Sequence, residues 1–213
     1  MKKLLMHSSL IVSILLICSC NTRKKEEKTM AAQLALQERF YAIDTTGISL
    51  QWTAYKFTDK MAVHGTFNDF SVDFQKNKKT IEDLLVKDKI TIHTMSVNSG
   101  AEIRDAKLKT YFFEVFKSDI IRGEILDAKN GKGVMNIELN TISREVDYTY
   151  SQKGDTLFLK TAINLANWKG EEAINTLNRE CYELHMGVDK VSKLWPNVVI
   201  TIKLPINISH ILK

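Results

Sequence analysis

Period-two alternation of apolar and polar residues dominates the chain from Phe40 onward. In Ile48-Ser49-Leu50-Gln51-Trp52-Thr53-Ala54 the residues Ile48, Leu50, Trp52 and Ala54 share one face. Phe70, Val72 and Phe74 repeat the pattern, as do Leu157, Leu159 and Ile163. Ile142, Val146, Tyr148 and Tyr150 follow it with a break at Arg144. The final run is the longest, with Val198, Ile200, Ile202, Leu204, Ile206 and Ile208 facing one way. Strands also fit Phe40–Asp44, Lys89–Val97, Asp119–Leu126 and Gly133–Leu139. Three helical insertions interrupt them. Thr80–Val86 opens on a threonine suited to capping, with Asp83 near the positive helix end. Ser99-Gly100-Ala101-Glu102 has the spacing of a capping box and opens a helix carrying Arg104 and Asp105. Glu171–Leu184 places Ile174, Leu177, Cys181 and Leu184 at helical spacing. A shorter helix is expected at Met30–Glu38.

Many alternating strands joined by turns such as Asn130-Gly131 and Lys153-Gly154-Asp155 imply an antiparallel sheet that must deal with its edges. Closure into a barrel removes the edges, and a sandwich is the alternative that periodicity leaves open. A barrel of about eight strands holds either side chains or one small ligand.

The N-terminus changes the picture by removing residues from the fold. Lys2 and Lys3 precede an apolar run, Leu10–Ile17, which is short for a membrane span and reads as a signal peptide over residues 1–19. It ends in Ile17-Cys18-Ser19-Cys20, which resembles a bacterial lipobox, with Cys20 as the lipidated residue and palmitate as one acyl group. Residues 20–38 then form a tether, and 39–213 a single barrel domain. This predicts a protein anchored in the cell envelope through Cys20, on the periplasmic face of an outer membrane or at the cell surface. Cys181 is left alone in the mature chain, so no intramolecular disulfide is expected, and it reads as a small buried residue.

The formal charge of the whole chain is +5, with acidic and basic residues interspersed, so no nucleic-acid partner is expected. No nucleophile elbow, phosphate loop, zinc-protease motif or paired-cysteine motif occurs, and His64, His93, His185 and His210 are scattered. Neither catalysis, a metal site nor a cofactor is expected. Arg104 and Asp105 are helix neighbours about 100° apart and do not pair directly, so each needs another partner. Pinning the helix across a barrel mouth, with Arg104 on a nearby carboxylate and Asp105 on backbone N–H groups, outweighs a role of Arg104 as anion clamp. The aromatics Trp52, Phe70, Phe74, Tyr111, Phe112 and Phe113 either line an apolar tunnel or fill a core.

Several segments in order resemble the YceI-like family. Tyr41-Ala42-Ile43-Asp44 followed by Ile48-Ser49-Leu50-Gln51-Trp52 is similar to its opening strands. Val63-His64-Gly65-Thr66-Phe67-Asn68-Asp69-Phe70 is similar to its glycine–aromatic segment. Ser96-Val97, then Arg104-Asp105 and Leu108, resembles its central signature. The resemblance spans Phe40 to Ile208 and points to a Bacteroidetes-type lipoprotein branch. It implies a mainly β fold, an eight-stranded antiparallel lipocalin-like barrel with short helical insertions. It also implies a non-catalytic carrier of an isoprenoid-like lipid, with Arg104 and Tyr111–Phe113 at the head of the site and Trp52, Phe70 and Phe74 on its walls. Asn140-Thr141 departs from the family by lacking a turn glycine, and Trp168–Pro196 is longer than expected. A filled barrel acting as a surface interaction module is the alternative reading. Oligomeric state stays open, a homodimer included.

Overall fold

A computed structural model describes Glu27 and residues 37–212. The signal peptide, Cys20 and most of the expected tether and Met30–Glu38 helix lie outside the described residues. Gln37 and Glu38 belong to a strand, not to that helix. The main folded unit is Phe40–Ser209.

The described residues form eleven strands: β1 (Gln37–Ile43), β2 (Ser49–Lys56), β3 (Met61–Phe67), β4 (Phe70–Asp73), β5 (Lys89–His93), β6 (Val97–Asn98), β7 (Ile120–Lys129), β8 (Lys132–Leu139), β9 (Ile142–Lys153), β10 (Thr156–Asn164) and β11 (Asn197–Leu212). All the strand pairings with a defined register are antiparallel, in the order β4-β5-β7-β8-β9-β10-β11-β2-β3-β6, with β1 attached to β11. The count exceeds the expected eight for a simple reason. β3 and β4 are two halves of one bent strand, separated by Asn68-Asp69, and β5 and β6 are two halves of its partner, separated by a turn at Thr94–Ser96. Asn68 N–H donates to the Ser96 carbonyl (3.0 Å) and His93 N–H to that of Asp69 (3.1 Å), so pairing continues across the kink. With each bent strand counted once and β1 set aside, the hydrogen-bonded circuit is a closed ring of eight. Closure leaves no long unpaired edge.

The inward face is built from the alternating positions. Leu157, Leu159, Leu204 and Tyr148 are each at most 2 % exposed. One end of the barrel is solid. Helix α1 (Ile81–Leu85) buries Leu84 and Leu85 completely against Ile125, Ala128, Met135 and Tyr148. Its start matches the expectation: Asp83 N–H donates to the Thr80 hydroxyl (3.0 Å), which donates to the Asp83 carboxylate (2.7 Å). The strip of Phe67, Ile92, Val97, Leu50 and Phe113 forms a second, smaller core at the kinked strands.

Two helical segments pack over the other end. Helix α2 (Glu102–Leu108) runs into a π-helical turn, Lys109–Phe113, and ends as Glu114–Phe116. Helix α3 (Glu171–Glu180) buries Ala173, Ile174 and Leu177 and passes into a short turn at Tyr182–His185. The α2 N-terminus corrects the expected capping box. The helix starts at Glu102 with Ala101 as its cap residue, and no side chain caps it. Ser99 acts instead as a hub: its N–H and hydroxyl donate to the Asp105 carboxylate (2.8 and 2.5 Å).

A lidded apolar cavity in the barrel

Between the second core and the two helices lies a cavity of about 160 Å³. One ordered water needs roughly 10–15 Å³, so the cavity is far larger than a packing defect. Its lining is almost entirely apolar. The barrel wall contributes Leu50, Trp52, Phe67, Ile92, Val97 and Ile200. The lid contributes Leu108, Phe112, Phe113 and Phe116 from the α2 segment, and Ile174 and Leu177 from α3. Tyr55, Leu194 and Trp195 form the remaining side. Phe67, Phe113 and Phe116 are buried, whereas Trp52, Leu108, Phe112, Tyr55, Leu194 and Trp195 are half-buried; the Tyr55, Leu194 and Trp195 side lies next to the exposed Thr58–Lys60 turn and forms the rim.

The π-helical turn explains how the lid presents so many aromatics. Leu108 and Phe112 are four residues apart, one α-turn; Leu108 and Phe113 are five apart, one π-turn. The wider turn lets both phenylalanines face the cavity, with rings 5.0 Å apart at 80°. Phe113 also meets Phe67 of the wall edge-on at 6.0 Å.

The wall is kept open by a glycine. Trp52 lies directly opposite Gly65, and its indole is folded flat over the space a side chain there would fill. A Cβ on Gly65 would sit 2.1 Å from Trp52 Cζ2 and 2.8 Å from the Asn98 carbonyl oxygen. The indole N–H donates to the Thr66 carbonyl (3.2 Å). The same device recurs at the solid end, where Tyr148 lies across Gly133 and donates to the Asp127 carbonyl (3.0 Å). Covering a strand glycine with a cross-strand aromatic restores the packing the glycine lacks.

The residues singled out from the sequence separate into two groups. Trp52, Phe112 and Phe113 line the cavity. Phe70 packs behind it in the smaller core, and Phe74 packs on the larger core toward the solid end. Tyr111 is half-buried and outside the lining. Arg104 is exposed, and its guanidinium is used locally: Nε–H donates to the Ser99 hydroxyl (2.7 Å) and Nη2–H to the Ser99 carbonyl (2.8 Å). Among the described residues it meets no carboxylate, and it is not part of the cavity lining. The physical reason is reach, since Ser99 lies one turn away and satisfies both groups of the Arg104-Asp105 pair. Sequence patterning predicts the α3 helix and singles out Leu108, but it assigns neither of them, nor the Leu194-Trp195 rim, to the cavity lining. The rim is placed by long-range hydrogen bonds: Phe57 N–H to the Lys193 carbonyl (2.9 Å), and Trp195 Nε1–H to the Phe57 carbonyl (2.7 Å).

The titratable groups with displaced pKa values lie away from the lining. Burial pushes Asp88 up to about 7, partly offset by the Gln75 N–H that donates to it at 2.7 Å. Burial, with Lys56 and Lys107 nearby, lowers His185 to about 4, so it is a neutral ring bonded to Asn178. Burial raises the Cys181 thiol and makes it a poor nucleophile. No group of three or more metal-ligating side chains occurs among the described residues.

Residues 41–207 match the model of the YceI-like domain. Among solved structures, the chain is similar to a polyisoprenoid-binding domain from Saccharophagus degradans implicated in plant cell wall breakdown. The identity is 14 %, the match covers 81 % of this chain and 98 % of that one, and the TM-score is 0.53. It is also similar to BcnA of Burkholderia cenocepacia, at 13 % identity, 78 % and 99 % coverage and a TM-score of 0.52. No curated protein sequence matches the chain.

Proposed function

The chain belongs to the YceI-like domain family, and on that premise we propose that it binds one apolar, isoprenoid-like lipid inside its barrel without transforming it. The cavity carries this reading: about 160 Å³ enclosed by aliphatic and aromatic side chains, with no charged residue among them. Such a surface gains from excluding water, at about 25 cal/mol per Å² of apolar area covered on both partners. The indole N–H groups of Trp52 and Trp195 both donate to backbone carbonyls, so neither is left for a ligand. Recognition therefore rests on shape, which suits a branched hydrocarbon chain. The polyisoprenoid-binding domain that shares the fold supports the same ligand class.

The anchoring through Cys20 to the cell envelope belongs to the same proposal, supported by the Leu10–Ile17 run and Ile17-Cys18-Ser19-Cys20. A lipid carrier tethered at a membrane would load and unload where its cargo resides. Purification from membranes followed by native mass spectrometry and solvent extraction tests both parts. One non-covalent lipid per chain is expected, with the full-length protein in the detergent phase and a Cys20→Ser variant in the aqueous phase. A lipid-free protein whose barrel takes up no hydrocarbon would overturn the carrier reading in favour of a filled interaction module.

A further inference from the structure

The rim of the cavity carries two ammonium groups that form no salt bridge among the described residues. Trp195 is a wall residue, and two ammonium groups rest against its ring: Lys193 Nζ at 3.8 Å from a ring centroid and Lys60 Nζ at 4.2 Å. Lys60 is exposed in the turn after β2, and Lys193 is half-exposed. Among the described residues, neither lies within salt-bridge distance of a carboxylate. A third ammonium, Lys56, stands over Phe57 at 4.5 Å and donates to the Leu184 carbonyl. The acids of this region have no ion pair to these lysines among the described residues. Asp189 accepts from the Thr58 hydroxyl (2.6 Å) and Val191 N–H (3.1 Å), while Asp59 and Glu183 are exposed. His185 is neutral and adds no charge.

Resting on the apolar-cavity reading above, we infer that the ligand is an amphiphile with an acidic head, a carboxylate or a phosphate, held by Lys60 and Lys193 at Trp195 while its hydrocarbon tail fills the barrel. Contact with an aromatic face is a weak partnership for a hydrated ammonium, worth about 0.5–1 kcal/mol at exposed sites. It positions the charge without neutralising it. Each lysine keeps N–H donors free, and a charge-assisted hydrogen bond to an anionic oxygen is roughly twice as strong as a neutral one. The indole thus serves two ends of one molecule, its apolar body to the tail and its bound cations to the head. A fatty acid and a prenyl phosphate share this chemistry.

Two probe pairs test it by calorimetry at low salt: farnesyl phosphate against farnesol, and palmitate against hexadecanol. Each acid is expected to bind about ten-fold or more tightly than its alcohol. The pair showing the tighter acid identifies the head group. In a Lys60→Gln/Lys193→Gln variant the acid advantage should vanish, while alcohol binding stays unchanged and reports an intact fold. Equal binding of acid and alcohol, or an acid preference that survives the double substitution, overturns the head site and leaves the tail reading standing. Binding of no probe overturns both.

Discussion

Adding a single methyl group at Gly65 should close the cavity from its wall. The Gly65→Ala Cβ would stand 2.1 Å from Cζ2 and 2.5 Å from Cε2 of Trp52. Carbon contacts are comfortable near 3.5–4.0 Å, so the indole must retreat by about 1.5 Å. It cannot pass through the strand, and the Asn98 carbonyl oxygen at 2.8 Å blocks relaxation of the methyl toward β6. The ring therefore swings into the lumen and gives up its bond to the Thr66 carbonyl. Overpacking costs about 1–3 kcal/mol, and the lost hydrogen bond about 0.5–1.5 kcal/mol. Against this, alanine restricts the unfolded chain and returns about 0.4–1 kcal/mol. The net expectation is a destabilisation of about 0.5–4 kcal/mol, read from urea midpoints at unchanged m-value. Lipid content should fall with it. The decisive control is Trp52→Leu, which removes the ring that Gly65 accommodates. If the clash is the cause, Gly65→Ala costs much less in the Trp52→Leu background, a coupling of at least about 1 kcal/mol in a double-mutant cycle. Additive effects, or a Gly65→Ala protein of wild-type stability and full lipid load, would refute the account.

Two further outcomes follow from other parts of the fold. Asp88 is 3 % exposed, its Oδ2 has no hydrogen-bond partner among the described residues, and its neighbours Asp73 and Lys78 act in opposite directions. Because its folded pKa of about 7 lies above the unfolded value, the folded state holds the proton longer. Its contribution is complete below about pH 4 and is lost as pH rises to 7, on the order of 4 kcal/mol in all. Urea melts at pH 4, 5.5 and 8 should show this loss in the wild type and not in Asp88→Asn; parallel pH profiles would dismiss it. The β8–β9 turn places Asn140 at φ 50° and the β-branched Thr141 at φ 59°. Thr141→Gly relieves a conformation that glycine adopts freely, so about 1 kcal/mol of stabilisation and a Tm rise of about 2–4 °C are expected by calorimetry, and a lower Tm would contradict the strain.

The strands were legible in the sequence because one face of each is buried and period-two patterning reports that directly, as in Leu157-Phe158-Leu159 or Ile200-Thr201-Ile202. β3 escaped notice because its inward series runs Val63, Gly65, Phe67, and the glycine that accommodates Trp52 erases the apolar signal. The ring of eight was split by kinks at Asn68-Asp69 and Thr94–Ser96, which are read from hydrogen bonds and leave little trace in composition. At the site, Phe112 and Phe113 were legible as an aromatic cluster at the end of a helix. Their joint access to the cavity depends on a π-turn that α-helical spacing does not anticipate. Leu194 and Trp195 were out of reach altogether, since backbone pairing with Phe57, far away in sequence, brings them to the rim. Arg104 drew attention through its residue type, yet a nearby serine satisfies it.

The placement of the tryptophans gives the protein a built-in optical reporter. The chain has three: Trp52 and Trp195 form part of the cavity surface, whereas Trp168 is fully buried outside it with its N–H on the Ile137 carbonyl. Whatever enters the barrel changes the polarity and quenching around two indoles and leaves the third as an internal standard. Intrinsic emission can therefore follow loading and release in real time without a label. With Trp52→Phe and Trp195→Phe examined separately, the β2 wall and the rim would report in turn, and the order of their signals would give the direction in which a tail threads the barrel.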